Sequence, residues 1–294
     1  RWTELLDEVR DLDRAGFDET DRVTHRLLAH ELADNITGID TRLAELASDQ
    51  MQGVHAGLLT TAGQLRAAEP EHAAMAVVRV ERLGTMLDQA VERFRAGLAA
   101  GRTPARICIT RSLNQVDGYL ASPVDQAPFV NLAGPPDWDG EAAWRVELAA
   151  AVTDHLRPAF ERYRAALADD LLPVARDDEH PGLHWLDDGP ELYRTLIRLH
   201  TGLDLTAEEL HEIGRHEVLE VLPAQFREVG RRAFGTDDLG EIFHHLLDDP
   251  HLRYRDGDEI LAHATHCLEA ATAAMGDWFG IVPDAPCVLT PIPD

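Results

Sequence analysis

Residues 69–104 read EPEHAAMAVVRVERLGTMLDQAVERFRAGLAAGRTP. Met75, Val78, Leu83, Met86, Leu87, Val91, Phe94 and Leu98 recur mostly at intervals of three and four, the period of one helical side. The spacing predicts a long amphipathic helix over 69–100. Gly101 stands where a helix needs a left-handed C′ residue, and Pro104 follows as a stop.

The same period extends outward in both directions. Upstream, Trp2, Leu5, Leu6, Val9 and Leu12 make an opening helix. Asp18 then reads as an N-cap before Val23, Leu27, Leu28 and Leu32, in a helix that could run to about Leu46. Downstream, a further helix is expected over Thr103–Leu120, with Pro104 at its first position. Trp144 to Leu171 is helical, with Pro158 expected to kink it. Leu192–His200 is followed by a capping box, Thr206-Ala207-Glu208-Glu209, which opens a helix through Leu210, Ile213, Val218 and Val221. Pro223 is expected to kink that helix, and Leu239–Leu247 and Asp258–Phe279 complete the set. No segment shows clean period-two alternation. The expected fold is all-α, a multi-helix array of long amphipathic helices with little or no β. It reads as a single helical region over 1–294, with a Pro/Gly-rich excursion at 122–140 and an extended tail at 284–294.

Composition limits the function. The chain has 294 residues and a net charge of −26, with no lysine; its cationic side chains are arginines. That balance argues against nucleic acid, whose phosphates require clustered cations, and against anionic membrane surfaces. No apolar run reaches the roughly 20 residues of a membrane span. No signal peptide is visible, so a cytoplasmic location is expected. Cys108, Cys267 and Cys287 are too far apart for a metal knuckle or a disulfide framework.

Two histidine groups invite a metal reading. His211 and His216 bracket a helical Glu212, but at a spacing of five. On a regular helix that separates them by about 140°, whereas the zinc-helix spacing of four gives about 40°. Only an inserted π turn would bring them together. Glu259, His263 and His266 share one face at i, i+4 and i+7 and could hold a divalent ion, or could simply flank the apolar stripe of Ile260, Ala264 and Cys267. No nucleophile elbow, phosphate loop or dinucleotide fingerprint is present.

The more specific signal lies in 158–218. Pro158-Ala159 with Arg162-Tyr163, Leu172-Pro173-Val174-Ala175-Arg176, Gly182-Leu183, Gly189, Tyr193, Arg198-Leu199-His200-Thr201, Leu205-Thr206-Ala207-Glu208-Glu209-Leu210-His211-Glu212-Ile213-Gly214 and Glu217-Val218 form one ordered pattern. It resembles the bacterial domain of unknown function 885 family. Asp21–Thr24, Gly101–Arg106 and the segment from Phe279 through Pro291-Ile292-Pro293 resemble further parts of it. Ala207 stands where the family often has proline.

The resemblance implies the N-terminal half of a helical, gluzincin-like fold. Members look like zinc-dependent peptidases whose metal motif lies in the second half. It follows that this chain carries no zinc motif of its own and is inactive alone. Zinc is expected only with the missing C-terminal half, which is also the expected partner. This half would supply a wall of a cleft for a peptide or small-molecule substrate, with Tyr193, Arg198, His200 and Thr201 approaching it; a structural role is the alternative for each. For the chain as a whole, the alternatives are a non-enzymatic helical binding module and a metal site at the histidines above.

Overall fold

The computed structural model describes residues 1–289, and within them the fold is all-α. The only extended pairings among the described residues are two isolated bridges, Arg66 with Ala133 and Ala105 with Arg176. Residues 290–294 of the expected tail lie outside the described residues; 284–289 are non-helical. The chain divides into two compact units, Arg1–Ala207 and Glu208–Asp294.

The first unit opens with a helical hairpin. α1 (Trp2–Asp11) and α2 (Glu19–Asp40) bury Leu6, Val9 and Leu32 between them. Asp18 and Asp21 close a reciprocal capping box at the start of α2. The expected run to Leu46 stops at Asp40. Arg42 takes a left-handed conformation (φ 55°) and redirects the chain into a 3₁₀ turn, Leu43–Glu45. α3 (Val54–Ala62), which no apolar period had delimited, follows.

α4 (Pro70–Ala99) is the central element, with Pro70 in its first turn and Gly101 at φ 75° beyond its end. It packs against α3, the Leu43–Glu45 turn and the long rod formed by the 141–174 helices. Val80, Leu87, Val91 and Phe94 face inward. Met75, Val78 and Met86, expected on the apolar side, point outward and are exposed. The eight apolar positions cover too wide an arc for one buried face.

α5 (Arg106–Ala121) begins after Pro104, not on it. The Pro104 carbonyl instead accepts from the Arg176 backbone N–H at 2.8 Å, and the Arg106 N–H donates back to the Arg176 carbonyl at 2.7 Å. The 122–140 excursion is not a free loop. Ala127, Phe129, Val130 and Leu132 are buried in the core, and Trp138 packs on the buried Trp144.

α6 (Glu141–Ala151) and α7 (Arg157–Ala165) form one continuous rod through π turns at Val152–Leu156 and Ala166–Leu171. A third π turn, Glu217–Val221, joins α9 (Ala207–His216) to α10 (Leu222–Ala233). Each π turn ends two residues before a proline: Pro158, Pro173 and Pro223. In each, the residue preceding the proline donates five residues back: Arg157 to Val152, Leu172 to Leu167 and Leu222 to Glu217. A proline has no N–H and its ring crowds the carbonyl four residues earlier. The wider π turn moves that carbonyl aside, so the expected kinks become widened turns.

α8 (Gly189–Thr201) ends the first unit's helices at Gly202, φ 68°. The second unit adds α11 (Leu239–Asp248) and α12 (Gly257–Trp278) to α9 and α10. Among its described residues only Gly230 and Ile242 are buried. Ile213, Val218, Leu219, Val229, Leu247 and Trp278 are all exposed.

Candidate functional site

α2 and α8 pack against each other in the first unit, and two adjoining concavities lie along them. One lobe has a volume of about 810 Å³ and takes in Asp34, Asn35, Arg42, Glu45, Arg93 and His200. The neighbouring lobe, about 320 Å³, includes Thr41, Arg42, Arg102, Asp188 and Thr195. Arg42 belongs to both.

A charged network forms the floor. Arg102 is buried, 5% exposed, although it directly follows the C′ glycine of α4. One guanidinium nitrogen donates to the Asp188 carboxylate at the start of α8. Another donates to the Thr41 carbonyl at the end of α2, at 3.0 Å. Arg102 Nε lies 3.2 Å from Glu45 Oε2, an ion-pair distance at which the angle falls outside hydrogen-bond geometry. Glu45 Oε1 accepts from Arg42 Nε at 2.7 Å. The carboxylate is therefore held between two guanidinium groups. This network fixes both walls and supplies shape and charge. It contains no nucleophile paired with a base.

Of the four cleft candidates, His200 lines this groove. Tyr193 and Arg198 are exposed on α8 outside its lining. Thr201 caps its own helix: its hydroxyl donates to the Ile197 carbonyl at 2.7 Å and accepts from the Leu203 N–H at 3.1 Å.

The histidine groups are not drawn together. His211 and His216 lie on the regular helix α9, and the π turn begins one residue after His216. His216 faces Glu220 at 3.2 Å, and Glu212 pairs with Arg215 at 3.0 Å. Glu259 accepts from the Arg255 backbone N–H at 2.7 Å, and His263 packs on Tyr254. Among the described residues, no three His, Cys, Asp or Glu side chains gather as a metal ion would require.

The stretch that carries the family resemblance builds the frame of the first unit. Arg162 makes a two-pronged bond to Asp88, at 2.9 and 2.8 Å. Tyr163 is fully buried with its hydroxyl 3.1 Å from His55 Nδ1. Arg176 donates to the carbonyls of Thr103, His180 and Pro181 and so ties the segment before α5 to the turn at 180–181. Gly189 is required by packing, since a Cβ there would land on the Leu183 carbonyl oxygen. Gly189→Ala is therefore expected to cost about 1–3 kcal/mol, measurable as a lower urea midpoint.

The groups whose pKa values burial moves lie in this frame too. Burial pushes the His55 imidazole below its ordinary value and the Tyr163 hydroxyl well above its own. Tyr119, beside Arg157, is pushed up to about 12 by burial. Sequence reading singled out neither His55 nor Glu45, and it met Arg102 and Asp188 only within stretches that carry the family resemblance, with no site role. Each is a lone polar residue in no periodic pattern, and only the tertiary fold brings them together.

With this geometry in place, comparison with known proteins is decisive on one point. The profile of the bacterial proteins of unknown function DUF885 matches residues 1–294. The chain belongs to this family. It is also similar to a crystal structure from Colwellia psychrerythraea, of a protein described as a candidate lipoprotein. The TM-score is 0.80 at 18% sequence identity, with 97% of this chain and 52% of that chain covered. That likeness shows the fold alone, and this chain spans about half the length of the matched one. No curated protein matches the chain. No helix of the described residues is long and apolar enough to cross a membrane.

Proposed function

We propose that this DUF885 chain is the N-terminal helical part of a larger zinc-peptidase-like hydrolase, and that it contributes a wall of the substrate cleft. The observation that carries the reading is the second unit. Its helices expose Ile213, Val218, Leu219, Val229, Leu247 and Trp278 while burying almost nothing of their own. Apolar surface on that scale belongs against further protein. The Colwellia match supports the same reading, because only 52% of that chain is covered. In the whole protein, zinc held by the second part would polarise a peptide or amide carbonyl and activate water. The groove beside His200 would position part of a peptide or small-molecule substrate. The proposal includes a cytoplasmic location.

The test is the protein made from its full reading frame. The expected result is one equivalent of zinc and metal-dependent peptide hydrolysis, with His200→Ala raising KM more than it lowers kcat. Failure of the full-length protein to bind zinc or cleave peptides overturns the reading. So does one equivalent of zinc in residues 1–294 alone, lost in His211→Ala or His263→Ala, which would establish the in-chain metal site instead.

A non-enzymatic binding module is the second reading, favoured by the closed core of the first unit around Val80, Leu87, Phe94 and Tyr163. It requires that residues 1–294 be monodisperse, unfold cooperatively and leave a hydrophobic dye unbound.

A further inference from the structure

We propose that the outward face of α4 is a docking groove for an acidic amphipathic helix. This inference stands apart from the hydrolase reading, because it uses a surface of the first unit remote in sequence from the α8 motif. Two adjoining concavities of about 310 and 620 Å³ run along it, sharing Met75 and Arg79. The first adds Leu65, Arg66, His72 and Leu132, and the second adds Val78, Arg82, Leu83 and Met86.

Two properties of the face point to the same occupant. The first is apolar exposure: Met75 is 66% exposed, Met86 48% and Val78 45%. Exposed methionines give an adaptable, polarisable surface suited to side chains of varied shape. The second is charge. Most of this protein's surface is acidic, at a net −26, yet the groove carries Arg66, Arg79 and Arg82. Glu71 and Glu81 lie on the same helix, but among the described residues no ion pair involves any of these three arginines. Elsewhere in the first unit Arg95, Arg102, Arg145, Arg162 and Arg164 are paired, and others without an ion pair, such as Arg10, Arg22 and Arg111, lie outside this groove.

The arrangement distinguishes a helix from a fatty anion. A single carboxylate with one tail would match one arginine and leave the others facing apolar chain. Here the cations are interleaved with the apolar contacts. Met75, Arg79, Arg82 and Met86 fall at i, i+4, i+7 and i+11 on α4, a stripe about 16 Å long. A partner helix with apolar residues at that spacing and carboxylates between them meets both. The protein's overall negative charge opposes such a partner only weakly, since fields beyond about 8 Å are screened at physiological ionic strength.

The probe is a fluorescein-labelled sixteen-residue synthetic helix with leucine on that stripe and glutamate between, alongside the same peptide with lysine for glutamate. Fluorescence anisotropy on residues 1–294 is expected to show salt-sensitive binding of the acidic peptide only. Arg79→Glu combined with Arg82→Glu should weaken it about tenfold or more, and Met75→Gln combined with Met86→Gln should weaken it at both low and high salt. These side chains are exposed, so circular dichroism should show all variants folded. Equal binding of the lysine peptide overturns the proposal, as does acidic-peptide binding indifferent to the arginine reversals. Binding of dodecanoate but not peptide would assign the groove to fatty anions. Concentration-dependent dimerisation abolished by the same reversals would assign it to a second copy. Either result overturns the inference.

Discussion

Arg102→Ala is expected to destabilise the first unit by about 3–5 kcal/mol, the cost of breaking a buried pair by removing one partner. The arginine bonds to Asp188 and to the Thr41 carbonyl and lies 3.2 Å from Glu45, itself only 8% exposed. Removing it strands the Glu45 carboxylate, whose remaining cation, Arg42, is half exposed. The orphaned charge carries most of the cost, so Glu45→Gln in the Arg102→Ala background should restore part of the loss. Arg102→Lys should not restore it, because a single ammonium cannot serve two carboxylates and a carbonyl in a fixed fork. Urea midpoints with unchanged m-values would measure each step. An unchanged midpoint in Arg102→Ala, or costs that simply add in the double variant, would show that the network contributes little. Because Asp188 starts α8 and Thr41 ends α2, the same substitution should loosen the groove that holds His200.

The helical architecture was legible because it is written in local patterns. The period of 69–100, the Asp18 cap and the Gly101 stop all correspond to observed features. Where local reading failed, tertiary forces had intervened. Arg42 bends the chain after α2 while Glu45 is drawn toward a cation far along the chain, so the helix stops at Asp40. The prolines read as kinks because sequence alone does not show that a π turn can absorb them. The outward Met75 and Met86 were assigned inward because periodicity locates a stripe without telling how wide an arc is covered. His200, named through the resemblance, lines the groove, but the floor is assembled from three separate stretches, at Thr41–Glu45, Arg102 and Asp188, which only the tertiary fold brings together.

Tyr163→Ala should cost about 3–5 kcal/mol from the lost ring alone. A further ~1–3 kcal/mol should come from the stranded His55. The tyrosine is fully buried against Phe94, and its hydroxyl is a partner of His55 Nδ1 at 3.1 Å, with Gln115 Oε1 3.0 Å from the other ring nitrogen. Tyr163→Phe keeps the ring and isolates the hydrogen-bond part of this cost. The histidine also sets a pH dependence. Burial lowers its folded pKa beneath the ordinary histidine value of 6.5, so the unfolded chain takes up a proton that the folded core resists. Stability from this group is therefore present above about pH 6.5 and is lost as pH falls from there through the folded pKa. Melting curves across that window should show wild type losing stability on acidification, with a shallower slope in His55→Gln, which cannot charge. Equal slopes would mean that the unfolded and folded states bind this proton alike, and that the imidazole is better hydrated than its burial among Tyr163, Gln115 and the core implies.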